Sequence, residues 1–115
     1  MSDRRGVVVH LNEADPGAQA AVLHKFANLR QELGGDDPIE IVTHGGGVDL
    51  CSGRTGLGDQ VAALQNRGVA VLACQNTMTS RGLTEPDLLA AVGVVTSGVA
   101  HLVRRQRDGW AYLRP

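Results

Sequence analysis

The stretch VAVLACQNTMTSRGL, residues 69–83, changes character at its middle. Residues 69–74 are apolar and long enough for one strand, and at Cys74 the chain passes abruptly into amide, hydroxyl and guanidinium side chains. An apolar run without polar alternation suits a strand buried on both faces, and such strands belong to parallel sheets covered by helices. Cys74 is thereby placed at the carboxyl end of a strand, just before a turn or a helix start.

The same cycle recurs on either side. GVVVHL (6–11) is a short β-branched run that ends at Asn12 and reads as a strand buried on both faces. Asp15 and Pro16 then supply an N-cap and a proline at the first helical position. Val22, Phe26, Leu29 and Leu33 follow at helical spacing until Gly34 and Gly35. IEIVTH (39–44) is a second strand and GGG a turn. A helical segment from Val48 is broken by the glycine-rich SGRTGLG (52–58), and Asp59 is expected to cap its second half, with Val61 and Leu64 inward and Gly68 at the end. After the strand at 69–74, Thr84 or Glu85 with Pro86 opens a short helix through Leu88 and Leu89. VGVVTS (92–97) is a fourth strand, Val99, Leu102, Val103 and Gln106 trace a helix, and WAYL (110–113) is a last strand. This alternation predicts an α/β fold, a parallel sheet with helices on both faces.

The bulk properties agree. A chain of 115 residues suits one domain, 1–115, with no linker. Only 3% of it is aromatic, so the core must be built from Val, Leu, Ile and Ala. A net charge of −1 gives no electrostatic case for nucleic acid, and Arg104, Arg105 and Arg107 read as a solvated helix face. No stretch is long enough to cross a bilayer, and the apolar run near the N-terminus is too short for a signal peptide. The expectation is a cytoplasmic protein with no membrane partner, in which Cys51 and Cys74 stay reduced.

In an open parallel sheet, ligands bind outside the carboxyl ends of the strands. The residues at those ends are Asn12 and Glu13; His44 with Gly45, Gly46 and Gly47; Cys74 with Gln75, Asn76 and Thr77; and Thr96, Ser97 and Gly98. A thiol at a turn or helix start faces unpaired backbone N–H groups, which favour the thiolate, the nucleophilic form. The competing reading is a small buried hydrophobe, with Asn76 and Thr77 as turn and capping residues. His44 could hold an anion or carry a proton, or its ring could cap the glycine turn. His10 reads as a satisfied core histidine, while His24 and His101 fall on helices without partners in sequence.

Several motifs are excluded. GRTGLGD lacks the Lys-Ser/Thr of a P-loop and does not follow a strand as a dinucleotide fingerprint does. Cys74 and Arg81 enclose six residues, one too many for the phosphatase-type cysteine loop. There is no CxxC pair, and Cys51, Cys74 and His44 lack zinc-site spacing, so no metal is expected.

HLNEADP, HGGGV, GVAVLACQNTMTSRGL and VTSGVAHLVRRQRDGWAYLRP together resemble the small single-domain branch of the DsrE/DsrF-like family, over nearly the whole chain. The most specific element is Ala73, Cys74, Asn76 and Thr77 followed by Arg81 and Gly82. The resemblance implies a three-layer α/β/α sandwich with a five-stranded, mainly parallel sheet and assembly into homotrimers or hexamers. It also implies that Cys74 matches the cysteine that accepts sulfane sulfur as a persulfide in the sulfur-relay members and hands it to another protein's thiol. Relay members work with sibling subunits, whereas this branch is single-component. Cys51 and the segment from Ser52 to Gly58 have no counterpart in the pattern.

The leading expectation is a sulfur carrier, possessing or lacking sulfurtransferase turnover, with Cys74 as nucleophile. Asn12, His44, Gly46, Asn76 and Thr77 would line or shape the pocket. Thiol exchange needs no cofactor; donor and acceptor proteins would be the partners. The alternative is an oligomeric module that binds a small anionic or nucleotide-like ligand at the strand ends without covalent chemistry, motivated by the backbone N–H groups of the Gly45–Gly47 turn. Trp110 and Tyr112 fall on one face of the last strand and Ala111 and Leu113 on the other, so neither face is suited to water, whether a partner or the chain's own helices cover it.

Overall fold

The computed structural model describes residues 5–115; the reading of the N-terminal stretch rests partly on residues 1–4, which lie outside the described residues. Five strands, β1 (Val7–Leu11), β2 (Ile39–Thr43), β3 (Val69–Cys74), β4 (Gly93–Val95) and β5 (Ala111–Leu113), form one sheet in the order β4-β3-β2-β1-β5. Every adjacent pair is parallel. Helices α1 (Pro16–Leu33), α2 (Gly58–Asn66), α3 (Gln75–Ser80) and α4 (Gly98–Arg107) complete the three layers.

Strand order explains the layering. From β1 to β4 the chain steps in one direction across the sheet, whereas β4 to β5 returns past three strands to the far edge. Parallel crossovers are right-handed, so reversing the direction puts α4 on the opposite face from α1 and α2. The period of two divides the strands accordingly. Val7, Val9, Leu11, Ile39, Ile41, Val69 and Val71 pack with Val22, Leu23 and Phe26 of α1 and Val61 and Leu64 of α2. Val8 and Val42 pack with Leu102 of α4, flanked by Leu72 and Trp110.

The first helix begins as its sequence predicts: the Asp15 carboxylate accepts from the Ala18 N–H at 2.9 Å, Pro16 follows, and Gly34 ends the helix at φ 81°. Leu33, expected on the inner stripe, is exposed. Three other expectations are corrected. The glycines at 45–47 are not a turn ahead of a helix but the start of a 3-10 turn, Gly45–Cys51. A Cβ on Gly47 would run into the Leu11 carbonyl, so the glycine permits this turn to press on the end of β1. Asp59 does not cap α2: Leu57 holds that position, and Asp59 lies in the first turn, where the helix dipole still favours its charge. The helix expected through Leu88 and Leu89 is a 3-10 turn, Glu85–Asp87, because Leu88 bridges to Ser52 and the Leu89 N–H donates to the Cys51 carbonyl at 2.8 Å. No described helix is long and apolar enough to cross a membrane.

Candidate functional site: a thiol between two helix starts

β3 delivers Cys74 to the carboxyl edge of the sheet, where its backbone (φ −80°, ψ 118°) is still extended and serves as the N-cap of α3. Beside it, the Ser97 hydroxyl caps α4 by accepting from the Ala100 N–H at 3.1 Å, which makes Gly98 the first residue of that helix. Two helix starts thus meet at one sulfur. Burial of Cys74, which is only 5% exposed, pushes its thiol pKa up. The N–H groups of Gly98, Thr77 and Asn76 and the Thr77 hydroxyl outweigh that penalty, and the net direction is downward. Thr77 has a second task, since its Oγ1 accepts from the Gly45 N–H at 3.0 Å and so ties α3 to the turn after β2.

Gly98 is also the spacer between Cys74 and His44. A Cβ at Gly98 would sit 3.3 Å from the Cβ of each, so the thiol and the imidazole spring from neighbouring points. His44 precedes the 3-10 turn but makes no side-chain cap to it. Its Nε2 instead meets the Nε2 of His10 at 2.5 Å, and the His10 Nδ1 meets the Tyr112 hydroxyl at 2.6 Å. The two imidazoles are stacked, with centroids 4.6 Å apart. Both have depressed pKa values. Burial is the first cause for each; for His10 the charge of His44 and then Arg114 add to it, for His44 Arg114 does, and Glu13 opposes in both.

The other sequence candidates separate. Asn76 is exposed, and its backbone rather than its amide serves the sulfur, while the same N–H also approaches the Thr96 carbonyl at 3.3 Å. Asn12 follows β1, two strands away from β3 and Cys74, and its Oδ1 accepts from Arg114 at 3.5 Å. Gly46 faces the β1–α1 connection: a Cβ there would come within 2.7 Å of the Ala14 Cβ, so its small size serves packing. A cleft of about 390 Å³ lies apart from Cys74, lined by Gln19, Asp49, Ser52, Arg54 and Arg81 among others, with Arg81 donating to Asp49 at 2.8 Å. Among the described residues, no group of three or more His, Cys, Asp or Glu side chains could hold a metal ion.

Sequence reasoning missed α3, the role of Gly98, and His10 with Tyr112. Met78, wholly buried four residues after Cys74, was the available helical signal for α3. His101, read as unpartnered, meets Glu40 Oε1 at 2.7 Å, and Arg105 holds both oxygens of that carboxylate. Their contact is a packing clamp between α4 and β2.

The DsrE/DsrF-like family model matches residues 6–115, and the chain belongs to that family. Among solved structures it is similar to MTH1491 of Methanobacterium thermoautotrophicum, a protein of unknown function, at 37% identity and a TM-score of 0.91, covering 96% of this chain and 99% of that one. It shares its fold with YchN of E. coli (18% identity, TM-score 0.78, 96% and 99% covered). The fold is also that of BT1422 from Bacteroides thetaiotaomicron (18% identity, TM-score 0.73, 100% and 98% covered). No curated protein matches.

Proposed function

We propose, from membership of a family associated with sulfur relay and from the donors gathered around one thiol, that the protein is a sulfur carrier working through Cys74. The Cys74 thiolate attacks the terminal sulfane sulfur of a persulfide or polysulfide. The donor's S–S bond breaks, its electron pair leaves on the departing thiolate, and Cys74 becomes a persulfide. Attack by a partner's thiol on the outer sulfur completes the transfer and returns Cys74. No external oxidant or reductant enters.

The observation that carries this reading is the position of Cys74 at the N-cap of α3 and against Gly98 at the start of α4, where the Gly98, Thr77 and Asn76 N–H groups and the Thr77 hydroxyl favour its thiolate. The same donors suit a persulfide anion, and His44 would face it. The exposed apolar side chains Val99 and Val103 on α4 and Leu113 on β5 support a homo-oligomer, a trimer or hexamer, as the working form.

The test is intact-mass spectrometry of the reduced protein after exposure to polysulfide, with Cys74→Ser and Cys51→Ser alongside. The reading expects a gain of sulfur mass that reductant reverses and that only Cys74→Ser abolishes. No gain in the wild type, with an anion still bound, would turn the assignment to a non-covalent binding module.

A further inference from the structure

His10 and Tyr112 lie far from Cys74 in sequence, yet they end a hydrogen-bonded series that begins beside it. Three facts define the series. His44 and Cys74 flank Gly98 at equal distance. The contact between the two imidazoles is Nε2 to Nε2, and His10 reaches Tyr112 through its other nitrogen. Tyr112 is 39% exposed, so the far end opens to water. Every ring nitrogen in the series except His44 Nδ1 has a partner among the described residues.

Hydrogen-bond rules allow this series two complete arrangements. In one, His44 Nε2–H donates to His10 Nε2 and His10 Nδ1–H donates to the Tyr112 oxygen, leaving His44 Nδ1 bare. In the other, Tyr112 O–H donates to His10 Nδ1 and His10 Nε2–H donates to His44 Nε2, so that His44 carries its proton on Nδ1. One proton entering at His44 Nδ1 and one leaving from the Tyr112 hydroxyl to water convert the first arrangement into the second.

We propose that His44, His10 and Tyr112 form a proton relay for Cys74, in which His10 and Tyr112 are positioning and proton-conducting residues that act through His44. In the forward direction the Cys74 S–H proton passes to His44 Nδ1, and the S–H electron pair stays on sulfur. His44 Nε2 gives its proton to His10 Nε2, His10 Nδ1 gives its proton to the Tyr112 oxygen, and Tyr112 releases its own to water. Reversal supplies a proton to the thiolate when a partner takes the sulfur. The relay rests on the assignment of Cys74 as the nucleophile, and it adds the route by which its proton leaves.

The electrostatics fit a neutral relay. Burial holds both imidazoles below their ordinary value, with Arg114 adding and Glu13 opposing. From α4 the same sheet face receives His101 and Arg105, both already bound to Glu40. No carboxylate hydrogen-bonds to His10 or His44 among the described residues, so neither ring is pinned as an imidazolium.

The deciding experiment is the pH profile of Cys74 alkylation by iodoacetamide in the Cys51→Ser background, which requires no sulfur transfer. The profile is compared with those of Tyr112→Phe, His10→Gln and His44→Gln, and polysulfide uptake is measured in parallel. The relay expects a limb in the histidine range that moves in all three variants. It also expects the rate at neutral pH to fall about tenfold in His10→Gln, less than removal of a direct general base. Nitrogen-15 spectra of the imidazoles would show both tautomers shifting in Tyr112→Phe, an effect that mere loss of packing at His10 would not produce. Profiles that coincide with the parent's in Tyr112→Phe and His10→Gln, with both variants folded, would overturn the relay. If the histidine-dependent limb is present and wild-type sulfur uptake is absent, the relay stands and the sulfur-carrier reading falls.

Discussion

Cys51 and Cys74 are both buried, one at the end of the 3-10 turn that follows β2 and the other at the end of β3, yet their surroundings drive them in opposite directions. Cys51 is fully enclosed, and burial pushes its thiol up to about 11. Its polar neighbour is the Thr43 hydroxyl at 3.4 Å, but that hydroxyl donates its hydrogen to the Leu72 carbonyl at 2.9 Å. Thr43 is therefore an acceptor for the Cys51 S–H, and what its hydroxyl could give a thiolate is outweighed by burial. Cys74 exposes little surface but is far less deeply enclosed, and it stands where two helices begin, whose starts have N–H groups to spare. Donors aimed at the sulfur, together with shallower burial, separate a reactive thiol from a packed one.

The largest effect that can break this contrast is selective labelling. At neutral pH a thiol near 11 is ionised on the order of once in 10⁴ molecules, and the enclosure of Cys51 slows it further. Brief treatment of the folded protein with iodoacetamide, followed by peptide mapping, is expected to place the label on Cys74, with Cys51 reacting only in denaturant. Comparable labelling of both in the folded protein would remove the distinction.

A sharper test acts on one donor. Gly98 occupies the first helical position of α4, a place where proline is tolerated because its missing N–H has no partner within the helix. Here that N–H serves the sulfur of Cys74. Gly98→Ala adds a methyl group near the Cys74 and His44 Cβ atoms but keeps the donor, whereas Gly98→Pro adds the rest of the ring and puts its Cδ in place of the N–H. The proline variant is expected to alkylate about tenfold more slowly than the alanine variant at pH 7, as befits one hydrogen bond to a charged acceptor. Equal rates would mean that the N–H does not govern the thiol.

How far the sequence revealed this arrangement depended on the range of the interactions. β3 was legible at 69–74 because its apolar run and the break at Cys74 are both local. The capped start of α1 was legible for the same reason. α3 was not, because QNTMTS has the composition of a turn and its N-cap is a cysteine, which is not among the residue types that mark a helix start in sequence. Cys74, Thr77 and His44 could be nominated by asking what lies at the strand ends. Gly98 could not be singled out among them until strand order placed the start of α4 beside β3. His10 and Tyr112 are separated by 102 residues, and only the parallel pairing of β1 with β5 brings them together. Gly46 looked like part of an anion cradle, but a glycine required by backbone approach has the same signature in sequence as one required by a ligand.

Thr77→Val is expected to have a smaller effect. It removes the hydroxyl that donates to Cys74 and accepts from the Gly45 N–H, while the Thr77 and Asn76 backbone donors remain. Alkylation should slow by a few-fold, and stability should fall by about 1 kcal/mol for the lost tie, measurable by urea unfolding. Thr77→Ser should recover both. A loss of stability without any change in rate would assign the hydroxyl to the fold alone.

The smallest effect concerns the imidazoles. Folding lowers the pKa of His10 and His44 below 6.5, so below that pH the unfolded chain takes up protons that the folded rings resist. Stability is therefore retained above about 6.5 and declines as the pH falls toward the folded values, with the slope set by the extra protons bound on unfolding. Glu40 behaves as a depressed carboxylate, losing its contribution only below its ordinary 4.5, so pH 6.5 to 5 isolates the histidines. Both rings are partly solvated, and after screening each is worth less than about 1 kcal/mol. Urea midpoints across this window should decline in the wild type and decline less in His10→Gln. A slope unaltered by that substitution would show that the ring is as easily protonated folded as unfolded, and the neutral state on which a relay to Cys74 depends would lose its support.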